Sequence, residues 1–540
     1  MEFETTCLHY PISKILINNI GSMQDFDSLI QASNQIRNSM INNSVRKTFN
    51  IPENTLFFEH EGMEKNEVTT WNDLSIFYEG SKYTLSTLYQ YLNSIERVNF
   101  EHIHTISVRF SDNYSKYENN RRHFFSQLYA DFIDRIFDKC YNATTLELLN
   151  IKEIQFYIIK YLKSPRIQVI KKLNFNELIE YCKENQEVSQ DITTQLPSLR
   201  EIHFFIKNLA QYEINSHTQV LQKIFQQLNS NKNGKINFYG VLGPKDSEKF
   251  RQILMIAESN NIVTSLNGSF ICNIQFFEVI SSQNLFPTYP VNNVVSLSVS
   301  LYDKSIFQSF FKALPYFTNL TELKIELRDQ LFENIINVNA LNIFSEYVDL
   351  AAIQKMSQIQ SFFLEIQNCS DMYEIKSNYE KSLDVKSQFA KDFCLLLGEN
   401  LKTLYLNGIP KMTNDVGEFL STNCSKLENI YLSILEPVST NFIEKMETLK
   451  VINLKGFYKL NVPRNVKMFI IHPQNDNFSN EIGKLSNDNL HHFLKNFYGK
   501  YFKHSFRNIC NTYMKYSVVF DNIFDWKNYI KHLDMFENAF

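Results

Sequence analysis

The sequence lacks the features that mark several large classes of protein. It has eight cysteines but no C-x-x-C pair and no cluster of histidines around them, so neither a disulfide framework nor a zinc site is indicated. No apolar run reaches the roughly 18 residues that a membrane-spanning helix needs. The first residues, MEFETTCLHYPISK, carry acidic groups where a secretory signal would be positively charged. These absences predict a cytoplasmic or nuclear protein.

The chain also has no strong excess of charge and no familiar catalytic motif. Lys plus Arg number 54 and Asp plus Glu 58, a net charge of -4, so no overall field draws it to nucleic acid or to a membrane surface. G-x-S-x-G, HExxH and G-x-G-x-x-G do not occur. We therefore predict no catalytic residue, no metal ligand, no cofactor, and neither nucleic acid nor membrane as a partner. An enzyme hidden in the irregular region 330–400 is the weakest alternative.

What the sequence does contain is a repeated strand pattern, L-x-x-L-x-L, in its C-terminal half. The pattern occurs at Val294-x-x-Leu297-x-Val299, Leu320-x-x-Leu323-x-Ile325, Leu401-x-x-Leu404-x-Leu406, Leu427-x-x-Ile430-x-Leu432, Leu449-x-x-Ile452-x-Leu454 and Val466-x-x-Phe469-x-Ile471. The intervals 294 to 320 and 401 to 427 are 26 residues, and 427 to 449 is 22, within the roughly 20 to 29 of leucine-rich repeats. A weaker form upstream, for example Ile103-x-x-Ile106-x-Val108, extends the predicted array over residues 95–472.

Strand geometry assigns each position of this pattern to a side of the sheet. Residues two apart on a strand point the same way, so Leu404 and Leu406 should face inward and the residue between them outward. Lys324, Tyr405 and Tyr431 occupy such outward positions, and we predict that they bind a protein partner. Stretches such as 305–314 have apolar residues at helical spacing and should pack behind the strands.

One repeat resembles a particular family. In residues 412–432, Thr413 and Asp415 bracket a helix start, Cys424 stands at the helix end, and an L-x-x-L-x-L strand follows. This order is similar to the cysteine-containing leucine-rich repeat of F-box proteins, and the abundance of Asn, Lys, Ile, Phe and Tyr suggests an AT-rich eukaryotic genome. The resemblance implies an α/β leucine-rich-repeat solenoid, a horseshoe with parallel strands on the concave face, helices on the convex face and helical caps at both ends.

Residues 8–40 resemble an F-box. The positions that would dock on a Skp-type adaptor of a cullin-RING ubiquitin ligase are Leu8, Pro11, Ile12, Ile15, Phe26 and Leu29. His9 and Tyr10 separate the leucine from the proline, which departs from the family pattern. The alternative is that two amphipathic helices merely cap the array, as open repeat proteins require.

The predicted organisation has four parts. They are an F-box-like segment or cap (1–45), a linking helical or irregular region (46–94), the solenoid (95–472) and a C-terminal helical cap (473–540), the last because Phe493, Phe497, Tyr501 and Phe502 recur at helical spacing. Asn229, Asn231 and Asn233 mimic the start of a calcium loop but are neutral. We interpret that segment as a polar turn with Gly234 at positive φ.

These features predict a non-catalytic protein-interaction module. The first hypothesis is a substrate-recognition subunit of a cullin-RING ubiquitin ligase, and the alternative is a leucine-rich-repeat scaffold without a link to ubiquitin. The sequence does not identify the partner.

Overall fold

The fold was obtained as a computed structural model. The residues that it describes are 55–60, 70–95, 100, 103–110, 119–149, 154–184, 195–211, 214–230, 234–242, 244–271, 274–281, 291–336, 348–367, 376–436, 438–455, 459–472, 492, 495–496, 498, 504–510 and 513–520. The chain divides into two compact units, the first made mainly of residues 50–270 and the second mainly of residues from 296 onward.

The first unit alternates strands and helices along the chain. Its elements are β1 (Thr55–His60), β2 (Ser75–Tyr78), β3 (Ser81–Thr84), α1 (Leu85–Ser94), β4 (Thr105–Phe110), α2 (Asn119–Lys139), β5 (Thr145–Leu149), α3 (Gln155–Tyr161), β6 (Val169–Asn174), α4 (Phe175–Glu184), β7 (Glu201–Lys207), α5 (Thr218–Ser230), β8 (Lys235–Val241), α6 (Ser247–Ser259) and β9 (Val263–Ile271). β1 and β4 to β9 pair in parallel in that order, and the hairpin β2–β3 joins β1 in antiparallel pairing.

The second unit repeats the same alternation. Its elements are α7 (Ile274–Ser281), β10 (Val294–Leu301), α8 (Lys304–Ala313), β11 (Glu322–Leu327), α9 (Asp329–Ile336), α10 (Leu350–Ser357), β12 (Ser361–Ile366), α11 (Lys376–Leu395), β13 (Thr403–Ile409), α12 (Asn414–Asn423), β14 (Asn429–Ile434), β15 (Val451–Lys455), β16 (Met468–His472), β17 (His504–Cys510) and β18 (Tyr513–Phe520). β10 to β16 pair in parallel, in chain order. β18 then pairs antiparallel with both β16 and β17.

The inward-facing leucines Leu406, Leu432 and Leu454, which we call the leucine row, lie in register across the second unit. Leu406 of β13 pairs with Leu432 of β14, and Leu432 with Leu454 of β15. All three side chains are fully buried, and burial of each contributes about 1.5–3 kcal/mol to stability. Helices cover this side of the sheet, since Phe362 of β12 stacks on Phe393 of α11 with ring centroids 5.9 Å apart.

The cysteine-containing repeat has the local structure that its sequence predicts. α12 begins directly after Thr413 and ends at Asn423, and Cys424 forms the C-cap with its N–H donating to the carbonyl of Leu420. Cys424 is buried against the core, and burial raises the pKa of its thiol to about 12. This thiol therefore serves as a small apolar side chain and not as a nucleophile.

On both sides of the predicted array, the structure differs from the secondary structure predicted from the sequence. The region 46–94, predicted to be helical or irregular, holds β1, which pairs with β4 residue by residue from Thr55 to His60. The region 473–540, predicted to be a helical cap, is helical at residues 492, 495, 496 and 498 but also holds the strands β17 and β18. Phe493, Phe497, Tyr501 and Phe502 lie outside the described residues.

The prediction of a positive φ at Gly234 is also wrong. Positive φ occurs at Gly240 (+127°), and Gly234 is not among the residues with positive φ. A side chain at Gly234 would instead lie 2.8 Å from the backbone of Leu228, so close packing explains this glycine.

The alternation of strand and helix is that of a solenoid-like α/β protein, whereas the leucine-rich-repeat assignment, the horseshoe and the continuity of one array from 95 to 472 stay predictions. Among the described residues, no helix combines the length and the apolar character needed to cross a membrane.

Candidate protein-binding face

The outward positions of the second unit form a row across the sheet. We call the side of β10 to β16 that is opposite the leucine row the ladder face. Its middle row, in register from strand to strand, consists of Ser298, Lys324, Phe363, Tyr405, Tyr431, Asn453 and Ile470. The three residues predicted to bind a partner, Lys324, Tyr405 and Tyr431, thus belong to one row.

Three aromatic rings lie next to one another along the centre of this row, and the last two of them stack. The ring centroids of Phe363 and Tyr405 are 5.6 Å apart, and those of Tyr405 and Tyr431 are 4.2 Å apart with an interplanar angle of only 12°. Parallel neighbouring strands place equivalent side chains about 4.8 Å apart, which suits face-to-face rings. The stack is therefore a direct consequence of strand register.

The exposure of these rings differs from the prediction. Only 4% of Tyr405 and 7% of Tyr431 is exposed, although the sequence placed both side chains on an accessible surface. Burial raises the pKa of both phenols, so they stay protonated at neutral pH. The rings form a buried layer, and charged neighbours supply the accessible groups.

Lys324 lies at one end of the aromatic stack. Its ammonium group is 5.1 Å from the ring centroid of Phe363 and 3.5 Å from a carboxylate oxygen of Glu322. The side chain of Lys324 keeps 14% exposure and that of Glu322 keeps 35%. A cation held over a ring and beside a carboxylate is oriented but remains within reach of solvent.

Carboxylates cluster in the next row of the ladder face. Glu326 accepts hydrogen bonds from Ser300 and Gln367, and its carboxylate lies 3.3 Å from the guanidinium of Arg328. Burial and the nearby charge of Glu326 raise the pKa of Glu365. This part of the face carries concentrated negative charge, partly balanced by Arg328.

Asn453 is the unusual member of the middle row. It is 3% exposed, and neither its Oδ1 nor its Nδ2 has a hydrogen-bond partner. A buried amide without partners costs about 1–3 kcal/mol of stability, and such groups are rare in folded proteins. The sequence does place Asn453 at an outward position of an L-x-x-L-x-L pattern. A single Asn in so Asn-rich a chain is nevertheless weak evidence for a functional residue.

The first unit has a polar row that the sequence reasoning missed. Nε2 of His203 lies 2.8 Å from Oε1 of Glu201, Asn237 bridges to Nδ1 of His203 at 3.3 Å, and Asn267 donates to Asn237 at 3.0 Å. Burial alone would raise the pKa of Glu201, but the hydrogen bond from His203 and the charge of Lys235 outweigh it and lower that pKa to about 2. The row is a satisfied network, and it stabilises three neighbouring strands.

The predicted adaptor-binding residues cannot be compared with the structure. Leu8, Pro11, Ile12, Ile15, Phe26 and Leu29 lie outside the described residues.

The model of a family described as Domain of unknown function (DUF8346) matches residues 47–533. The chain belongs to this family. The match extends over both units of this DUF8346 protein and begins at residue 47, after the segment 1–45 that was predicted to be an F-box-like segment or a cap. No curated protein matches the sequence.

Proposed function

We propose that this chain is a non-catalytic protein-binding solenoid of the leucine-rich-repeat type, and that the ladder face of its second unit contacts the partner. The observation that carries the proposal is the in-register row of Lys324, Phe363, Tyr405 and Tyr431. Aromatic residues and arginine are enriched at the centres of protein interfaces. Parallel strands paired in register present them in a fixed array that needs little ordering on binding.

Two kinds of side chain, buried rings and partly exposed charged groups, have different roles in this proposal. The buried rings of Phe363, Tyr405 and Tyr431 form the support, and the partly exposed Lys324, Glu322 and Arg328 beside them make the contacts.

Site-specific photo-crosslinking tests the proposal. Benzoylphenylalanine is placed at Lys324 in the full chain, with a matched variant at Lys312, an exposed residue of α8. We expect the Lys324 probe to label one protein in cell extract. That labelled protein, once purified, should bind the wild-type chain and the Lys312→Glu variant equally, and the Lys324→Glu variant more weakly. Equal labelling from both probes, or equal binding by both charge variants, contradicts the assignment of the ladder face.

The proposal extends to the ubiquitin system through the N-terminal segment. We propose that residues 1–45 dock on a Skp-type adaptor, which makes the chain a substrate-recognition subunit of a cullin-RING ligase. The test is adaptor pull-down with the full chain and with a Pro11→Ala, Leu29→Ala variant. Loss of binding in the variant supports the link, and no binding by the wild type removes it, leaving the scaffold alternative.

A cytoplasmic or nuclear location is part of the same proposal. It is supported by the free thiols of Cys140, Cys394 and Cys424, all three buried. Free thiols persist where the compartment is reducing.

A further inference from the structure

The second unit has a basic cleft at the edge where its parallel strands begin. The residues directly before β13, β14, β15 and β16 are, in that order, Lys402, Glu428, Lys450 and Lys467. Backbone hydrogen bonds join neighbouring members of this series, because the N–H of each residue donates to the carbonyl of the one on the preceding strand. A cleft of about 670 Å³ opens on this edge, lined by Lys402, Ser425, Lys426, Glu428, Glu447, Thr448, Lys450, Asn465 and Lys467. Neither the leucine row nor the ladder face explains this collection of lysines.

The charges in the cleft are unevenly compensated. Lys450 forms an ion pair with Glu428, and Lys426 donates to the amide oxygen of Asn400 at 3.2 Å. Lys402 and Lys467 are exposed, and no ion pair is formed by either with the described residues. Four ammonium groups therefore meet two carboxylates, and the cleft keeps a net positive charge although the whole chain is negative.

The spacing of the lysines indicates the shape of the ligand. Neighbouring strands are about 4.8 Å apart, so Lys402 and Lys467, three strands apart, emerge about 14 Å from each other. A single phosphate is too small to reach both. An extended peptide advances about 3.3 Å per residue, so about five residues span this distance with alternate side chains facing the cleft.

The lining distinguishes the class of ligand further. None of the residues that line the cleft is aromatic, whereas single-stranded nucleic acid is held by stacking of bases on rings. Ammonium groups and hydroxyls suit a series of separate carboxylates. We infer that this cleft binds a short acidic segment, in extended conformation, of a protein partner.

The inference rests on the proposed function in that the occupant is a protein, but it uses a different surface, so the two tests can fail separately. The probe is a fluorescein-labelled hexaglutamate peptide, with hexaglutamine as the neutral control, and binding to the full chain is followed by fluorescence anisotropy. We expect binding of hexaglutamate alone, weakening as salt is raised.

Charge-reversal variants locate the binding. Lys402→Glu with Lys467→Glu should weaken hexaglutamate binding about tenfold or more. The matched control, Lys245→Glu with Lys312→Glu, makes the same change in net charge at two exposed lysines outside the cleft and should bind like the wild type. Circular dichroism checks that both double variants fold, which is expected because all four side chains are exposed.

Two results overturn the inference. One is equal binding of hexaglutamate to the two double variants, or no binding to the wild type. The other is tighter binding of an oligothymidylate or of phosphatidylserine vesicles than of the peptide, lost in the Lys402→Glu, Lys467→Glu variant, which would assign the cleft to a nucleic acid or to a membrane. Crosslinking from Lys324 is unaffected by either result.

Discussion

Replacing Asn453 by leucine should make the protein more stable, which is an uncommon effect for a substitution in a folded core. The amide of Asn453 is buried at 3% exposure with neither polar atom bonded. Leucine has nearly the same size and no polar atom, so the substitution removes a desolvation cost of about 1–3 kcal/mol without opening a cavity. We expect the free energy of unfolding to rise by about 1–2 kcal/mol.

The measurement is urea unfolding followed by circular dichroism, with the slope of the transition compared between variants. The control is Asn407→Leu on the same face, where the amide bonds to the carboxylate of Glu365, and this substitution should cost about 1 kcal/mol. A loss of stability in Asn453→Leu comparable to that in Asn407→Leu would refute the reasoning, because it would mean that the Asn453 amide is satisfied.

Three other predictions concern groups away from the ladder face. Burial lowers the pKa of His60 from 6.5 to about 3, so the folded protein holds this side chain neutral. Its contribution to stability is complete above pH 6.5 and is progressively lost as the pH falls toward 3. Between about pH 7 and pH 5, the free energy of urea unfolding should fall by about 2 kcal/mol more in the wild type than in His60→Phe. Lys386→Met removes the buried cation that contacts Asp329 and should cost about 3 kcal/mol in thermal or urea unfolding, most of it recovered when Asp329→Leu is added. Gly240→Ala should cost more than about 1 kcal/mol in the same assay, since φ is +127° there and a Cβ would lie 2.2 Å from the carbonyl oxygen of Ile206.

Sequence periodicity predicted the parallel strands because their apolar residues must face one shared interior. Leu404, Leu432 and Leu454 belong to patterns whose spacing depends only on strand geometry, and the structure has those strands adjacent and parallel. The strands of the first unit were predicted less completely. β1 and β9 were missed because their sequences, TLFFEH and VTSLNGSFI, do not contain an L-x-x-L-x-L pattern.

The site was predicted in position but not in environment. Alternation along a strand is local, so the sequence could align Lys324, Tyr405 and Tyr431 on one face. The burial of Tyr405 and Tyr431 depends on side chains from other strands that approach them, and no local pattern encodes it. The basic cleft was missed for a similar reason, since Lys402, Lys450 and Lys467 are 48 and 17 residues apart in sequence and meet only through pairing of successive strands.

The antiparallel strand β18 has a consequence for how such a chain can grow. Parallel repeats lengthen by adding one more copy of the same turn, and each copy needs a neighbour running in its own direction. β18 is antiparallel to β16 and pairs with it from Met468 to Ile471. A duplicated unit inserted after β16 would therefore have no free strand edge with which to pair. Lengthening by duplication must therefore occur further upstream, between strands such as β13 and β14, and the same pairing shields the edge of β16 from pairing with a second molecule.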